Sequence, residues 1–319
     1  MSFSVVVVSK DPVDVVQRFV AYYLEQGADK ITIFLDDPNS DLRHEFNHIS
    51  AVETVPMTKE FRASLETDQD DAGPPQNSIG NYAYRRLEED WMVRVDIDEF
   101  VYFPNQTIKE ALDALPKSAL VVRPDVAERI NTDRADGRHY FRTEMQESDL
   151  PKVYGDRWKE WRAGHGFIGH TLSKAITRRG VKNVVYPTHG PVKIPFLSRF
   201  KHITAAMHKK LPFIERHEMP GAYLLHFNNE EFQKWYGKIV WRAKVFSFRH
   251  IPLVALMDRV IQAGQDKGVP VNEAFRAAHR DYFHFDEKRL QTLKDVNALV
   301  SLDIDFDQLV KKYFPKESL

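Results

Sequence analysis

No cysteine occurs among the 319 residues. Disulfides, thiolate metal sites and a cysteine nucleophile are excluded, and a reducing compartment suits such a chain, so the cytoplasm is the expected location. Net charge is nearly absent as well, with 45 Lys and Arg against 46 Asp and Glu and a formal charge of -1. That balance gives no bulk attraction to nucleic acid or anionic lipid, so nucleic acid is not an expected partner and any polyanion must be held locally. Long apolar runs are missing: the stretch 5–8 in MSFSVVVVSKDP is too short for a signal segment or a membrane span, and reads as a first strand. No internal repeat, low-complexity tract or G-x-x-x-x-G-K-[ST] phosphate loop is found.

What is present is an alternation of strand and helix patterns. After the apolar stretch 4–9, DPVDVVQRFVAYYLEQG offers Asp11 as N-cap, Pro12 at the first helical position and Gly27 as the stop. Val15, Phe19, Tyr22 and Tyr23 recur at helical spacing, and KITIFL then reads as a second buried strand entering the turn DDPNSD. SAVETV supplies a third strand, NSIGNYAYRRLEED a helix and WMVRV a fourth strand. This order predicts an α/β fold, a mainly parallel sheet flanked by helices, and in such sheets ligands bind beyond the carboxyl ends of the strands.

Polar residues mark those ends: Lys10 after the first strand, Asp36 and Asp37 after the second, Asp96 and Asp98 after the fourth. In WMVRVDIDEFVYFP, an extended segment would project Asp96 and Asp98 to one side and turn Ile97 toward the core. Two like charges held together are costly without a cation, and hard carboxylate oxygens suit magnesium or manganese. The competing reading of the acids is a helix N-cap or a solvated turn, and that of Asp36 is an Asx-turn before Pro38.

Strand-acid-x-acid at this depth in an α/β chain resembles the metal and nucleotide-sugar signature of GT-A (Rossmann-like) glycosyltransferases. More closely, it resembles the family 2-like glycosyltransferases, whose hallmark is a Trp-led strand running into Asp-Ile-Asp-Glu-Phe. VAYYLEQGADKITIFLDDPNSD resembles that family's helix, Gly turn and Asp-ended strand. SKAITRRGVKNVVYPTHGP and YLLHFNNEEFQKWYGK resemble its later segments, with a Lys-led strand, a His-Gly and a His-aromatic before a helix. The stretch 125–169 matches none of its patterns.

The resemblance implies that Asp98 ligates Mn²⁺ or Mg²⁺ and that Asp96 contacts the metal or the ribose. The cation would bridge the donor diphosphate and neutralise charge on the leaving group. His226 in LLHFNN is the favoured further ligand, with His189 in YPTHGP the alternative, since Gly190 permits close approach of a ligand; either is otherwise a core or loop histidine. Lys10 and Asp36 would line the base and ribose pocket, and Gln76 and Asn81 resemble positions near the donor, although Asn81 also fits a solvated helix face. A GT-A domain is expected over 1–228, with a C-terminal helical region over 229–319 packed on it.

An inverting transfer needs a carboxylate base, for which Glu147 and Asp156 in FRTEMQESDLPKVYGDRWKEW are candidates beside aromatic residues of the kind that stack on sugars. A retaining transfer needs none. NNEEFQKWYGKIVWRAKVFSFRH reads as a helix capped by Asn228 or Asn229, with Phe232, Trp235 and Ile239 on one face and Lys234, Lys238 and Arg242 as a basic stripe. That stripe suits a peripheral contact with the inner face of a membrane carrying a glycolipid acceptor, or a solvated helix edge. From Pro252 onward LVALMDRVIQAG, VNEAFRAAHRDYF, DEKRLQTLKDVNALV and DFDQLVKKYF predict helices. The expected function is transfer of a sugar from a nucleotide-sugar donor to a carbohydrate or glycolipid hydroxyl. Its competitors are a nucleotidyltransferase, a phosphohydrolase of the haloacid dehalogenase type, and a binding protein on a degenerate transferase scaffold.

Overall fold

β1 (Phe3–Ser9) is buried almost throughout, the mark of a strand covered on both faces. The computed structural model describes residues 1–65, 75–168, 171–182, 184–186, 189–193, 217, 219–227, 231–244 and 252–315. The other strands are β2 (Lys30–Leu35), β3 (Val52–Pro56), β4 (Trp91–Arg94), β5 (Glu99–Tyr102), β6 (Val121–Val122), β7 (Asp125–Ile130), β8 (His139–Thr143), β9 (Ile176–Arg178), β10 (Val184–Val185), β11 (Val192–Lys193), β12 (Tyr223–His226) and β13 (Leu299–Leu302). They fall into two compact units, one of Met1–Asp125, Ser173–Leu224 and Asp305–Leu319, the other of Val126–Leu172 and Leu225–Ile304.

The first unit holds a six-stranded sheet in the order β3-β2-β1-β4-β9-β6. β3, β2, β1 and β4 run parallel, as the strand-helix alternation predicts. The expectation of a mainly parallel sheet is corrected beyond them, because β9 lies antiparallel to both β4 and β6. β9 is a three-residue strand that follows β7 and β8 in the chain rather than a repeat of the strand-helix unit that orders β1 to β4. The architecture is α/β with mixed sheets flanked by helices. On one face Val6, Phe34 and Met92 from three adjacent strands pack with Met57, Leu65, Ile79 and Tyr186.

The helix Val13–Glu25 starts one residue later than its sequence signals place it, with Pro12 at the N-cap position. Asp11 instead exchanges hydrogen bonds with Ser9, whose hydroxyl competes for it. Gly27 stops the helix as expected, at φ +83°. The returning C-terminal helix, Phe306–Tyr313, docks on it. Phe306 meets Tyr22 and Phe100 at ring-centroid distances of 5.9 and 5.0 Å, and Lys312 Nζ donates to Glu25 Oε2 at 2.6 Å.

In the second unit β13, β8 and β7 pair antiparallel. Glu128 and Arg142 stand directly opposite each other on β7 and β8. Both side chains are sealed from solvent, at 1% and 0% exposure. Arg142 Nε donates to Glu128 Oε2 at 2.8 Å, and its Nη1 donates to the carbonyl of Tyr282 at 3.1 Å. The Arg142 guanidinium lies over the rings of Trp161, Phe283 and Phe285, members of an aromatic core that also holds Trp235 and Phe275. The helices Phe232–Lys244, Pro252–Asp266, Val271–Phe283 and Glu287–Asp295 follow the predicted order. Trp235 and Ile239 are buried as expected, while the cap candidates Asn228 and Asn229 and the Arg242 side chain lie outside the described residues. One prediction is corrected: DVNALV leaves the helix, because Asn297 takes φ +56° and sends the chain into β13 along β8.

Breaking a fully buried ion pair strands a charge, so Arg142→Met is expected to cost about 3–5 kcal/mol in urea unfolding. The double variant with Glu128→Gln should recover part of that loss, and a single variant as stable as wild type would contradict this account. The hydrogen bond from Lys312 holds Glu25 below the ordinary carboxylate range. Its contribution is complete above the unfolded glutamate pKa and fades as pH falls through the lower folded value. The Tm gap between wild type and Glu25→Gln should therefore shrink from about pH 7 to about pH 3, and a gap indifferent to pH would refute the pairing.

Candidate functional site

β4 is a buried Trp-Met-Val-Arg strand, and the chain leaves the sheet immediately after Val95 donates to the carbonyl of Val6. Asp96 to Glu99 then form a tight turn, with the Glu99 amide donating to the Asp96 carbonyl at 3.0 Å. The extended arrangement expected for Asp96 and Asp98 is thereby corrected. Ile97 is half-buried within the turn, and the side chain turned inward is Glu99. Its Oε2 accepts the Asp96 backbone N–H at 2.7 Å, closing the turn on itself.

The turn is pinned from the neighbouring helix. Tyr23 Oη donates to the Glu99 carbonyl at 3.0 Å and accepts the Val101 amide at 3.1 Å, while Tyr22 Oη donates to the Val101 carbonyl at 2.7 Å. Two helical tyrosines, chosen by sequence only for their apolar spacing, thus set where β5 begins.

Lys174, just before β9, reaches the acids from the other side. Its Nζ lies 2.8 Å from Asp96 Oδ2 and 3.6 Å from Glu99 Oε2. The Lys174 and Glu99 side chains are 6% and 7% exposed, whereas that of Asp96 is 41% exposed. Burial pushes the Glu99 carboxyl up to about 8 against the pull of Lys174, with Asp96 and Asp98 adding to the rise. Burial would lower Lys174, but Glu99 and Asp96 outweigh it and hold the ammonium above its ordinary value. Arg94 is a second buried cation, and Gly80 gives it room, since a Cβ there would come within 2.9 Å of its Nη1.

The other expected residues are placed as follows. Register sets Ser9 opposite Leu35 and Val6 opposite Arg94, so Lys10, Asp36 and the acid turn leave one edge of the parallel strands. Lys10 is exposed, and Asp36 Oδ1 receives Arg62 Nη2 at 2.8 Å. Asp37 Oδ1 accepts the Asn39 amide in an Asx-turn. Asn81 Oδ1 accepts the Tyr186 amide at 2.8 Å, which ties its helix to the segment after β10. The side chain of Gln76 lies outside the described residues.

The His189 carbonyl accepts Arg123 Nη1 at 2.8 Å. Gly190, at φ +131°, makes its close approach to protein: a Cβ there would stand 2.4 Å from Ala175 Cβ and 2.9 Å from Arg123 Nη2. His226 ends β12 in the second unit, whereas Asp96 and Asp98 belong to the first. Glu147 and Asp156 are exposed residues of the second unit, Glu147 meeting Arg162 Nε at 2.9 Å beside an open pocket of about 430 Å³ that Lys159 and His165 also line. Lys234 and Lys238 are exposed on their helix, and Lys234 pairs with Glu231 at 3.0 Å.

Sequence reasoning therefore marked the acids of the motif, Glu99 among them, but not that Glu99 turns inward, nor the buried cations Lys174 and Arg94. Lys174 had a signal, standing at the head of the Lys-led strand in SKAITRRG, yet nothing local shows that it meets Asp96, 78 residues earlier in the chain.

Among the described residues, no group of three or more His, Asp and Glu side chains is arranged to hold a metal ion by itself. No helix among them is long and apolar enough to cross a membrane. No protein-family model matches the sequence, and no curated protein matches it. A solved structure, HddC from Yersinia pseudotuberculosis, is 12% identical, with a TM-score of 0.27 over 44% of this chain and 67% of that one. That likeness is too slight to carry an argument.

Gly190→Ala should be strongly destabilising, because Ala175 lies on the backbone that carries Lys174 and cannot move aside cheaply. A loss of about 1–3 kcal/mol in thermal or urea unfolding is expected, and an unchanged stability would show that this contact is loose.

Proposed function

We propose that this chain is a metal-dependent glycosyltransferase of GT-A type, moving a sugar from a nucleoside-diphosphate donor to a hydroxyl acceptor in surface polysaccharide or glycoconjugate synthesis. The observation that carries the reading is the acid turn at the carboxyl edge of β4, where Asp96 is half open to solvent and Glu99 and Lys174 are buried behind it. The edge of a parallel sheet where strand ends meet is the usual seat of a nucleotide. Asp96 and Asp98 provide hard oxygen ligands, which fit Mg²⁺ or Mn²⁺.

The fit is to a metal that arrives with phosphates. Magnesium is commonly held by one or two carboxylates, with substrate phosphates and water completing its shell. When bound, the cation would offset the charge that develops on the departing nucleoside diphosphate. Asp98 and Asp96 would hold it, Glu99 and the two tyrosines keep the turn in shape, and Lys10 and Asp36 stand at the adjacent strand ends for the nucleoside. His226 or His189 as a further ligand, Gln76 and Asn81 near the donor, and Glu147 or Asp156 as base belong to this proposal as well.

Two enzyme alternatives are less well supported. A phosphohydrolase of the haloacid dehalogenase type carries its acid pair after the first strand, whereas β1 here is followed by Lys10 and Asp11. A nucleotidyltransferase would share the metal chemistry and differ in the bond broken, which product analysis separates. A binding protein on a degenerate scaffold would bind donor without turnover.

Calorimetric titration with UDP and GDP, with and without Mn²⁺, tests the reading. Metal-dependent affinity for one of them is expected, weakened about tenfold or more by Asp98→Ala, a change of about 1.4 kcal/mol. No binding of either nucleotide, or binding indifferent to metal and to Asp98, would overturn it.

A further inference from the structure

The acid turn already holds a cation, supplied by the chain. Lys174 is buried, its Nζ donates to Asp96 Oδ2 at 2.8 Å, and it stands 3.6 Å from Glu99 Oε2. Its position is not adjustable at low cost. Ala175 beside it is packed against the Gly190 backbone, and β9 follows directly in register with β4. Arg94 is a second buried cation, near enough to Asp96 and Glu99 to interact with their charge. Part of the charge that would draw in a bare divalent cation is thus offset from within. A divalent ion entering alone would also be repelled by the ammonium a few ångströms away, whereas one carried by a diphosphate brings the anion that an ammonium can share.

Resting on the nucleotide-sugar reading above, we propose that Lys174 is a positioning residue, the resident counter-ion that holds Asp96 and Glu99 in place of a divalent cation and weakens binding of that cation alone. Lys174 acts through the carboxylates it orients. Its removal takes the ammonium from Asp96 Oδ2, which makes that half-open carboxylate a better ligand for an outside cation, and leaves Glu99 buried without this partner, which makes the fold less stable.

The test measures free aqueous Mn²⁺ by electron paramagnetic resonance with wild type, Lys174→Met and Lys174→Arg, each with and without UDP or GDP, and with Asp98→Ala as reference. Lys174→Met is expected to bind Mn²⁺ alone about tenfold more tightly than wild type or better, while Lys174→Arg, which keeps the charge, stays near wild type. A Lys174→Met protein that binds Mn²⁺ alone no better than wild type overturns the proposal. If that variant does not fold, wild type decides: weak binding of Mn²⁺ alone supports the counter-ion role, and tight binding overturns it. The two readings separate cleanly. A gain in Lys174→Met with no effect of either nucleotide in any variant upholds the counter-ion and removes the transferase reading. Nucleotide-dependent Mn²⁺ binding that needs Asp98, without a gain in Lys174→Met, does the reverse.

Discussion

A buried lysine against two carboxylates at the end of β4 constrains everything around it. Three acids in four residues are self-repelling, and burying Glu99 among them would be prohibitive without Lys174 at 3.6 Å and the Asp96 amide at 2.7 Å. The consequence runs outward. Lys174 must be delivered to this spot, which requires β9 to pair with β4, and β9 stands where it does because Gly190 lets the backbone come up against Ala175. From the other side, Tyr22 and Tyr23 hold the start of β5 by their hydroxyls. The turn is a rigid feature, fastened at both ends and from behind, with Asp96 its half-open member.

The second unit relies on the same kind of interaction for a different end. Glu128 and Arg142 are a cross-strand pair with no exposure, bonded further to the Tyr282 carbonyl, and ringed by aromatic side chains. Such a pair adds little net stability over an apolar replacement, yet removing one partner is costly, so it penalises wrong registers of β7 and β8. Here the charges are satisfied entirely within the protein. At the acid turn Asp96 retains solvent access, and that difference separates a structural ion pair from a candidate site.

Local patterns in the sequence carried far. The apolar runs of β1, β2 and β4, the Gly27 stop and the helix around Phe19 and Tyr23 are all readable because their burial follows a short period. The acids of the motif were legible as a cluster, but their geometry was not. An i to i+3 turn and an extended strand look alike in four letters, and only the turn buries Glu99. The antiparallel β9 and the Lys174 contact were illegible for a different reason, since they join residues far apart in the chain through a three-residue strand with little pattern of its own. DVNALV failed locally: its helical spacing was overridden by Asn297 in the left-handed region and by a free edge on β8.

Anomalous diffraction at the manganese edge, from crystals grown with Mn²⁺ and the nucleoside diphosphate that binds, tests the central claim most directly. The account predicts one strong peak at coordination distance, about 2.0–2.6 Å, from an Asp98 carboxylate oxygen, with the diphosphate on its far side. Manganese bound away from Asp98, or a diphosphate seated with no metal at the turn, would contradict it.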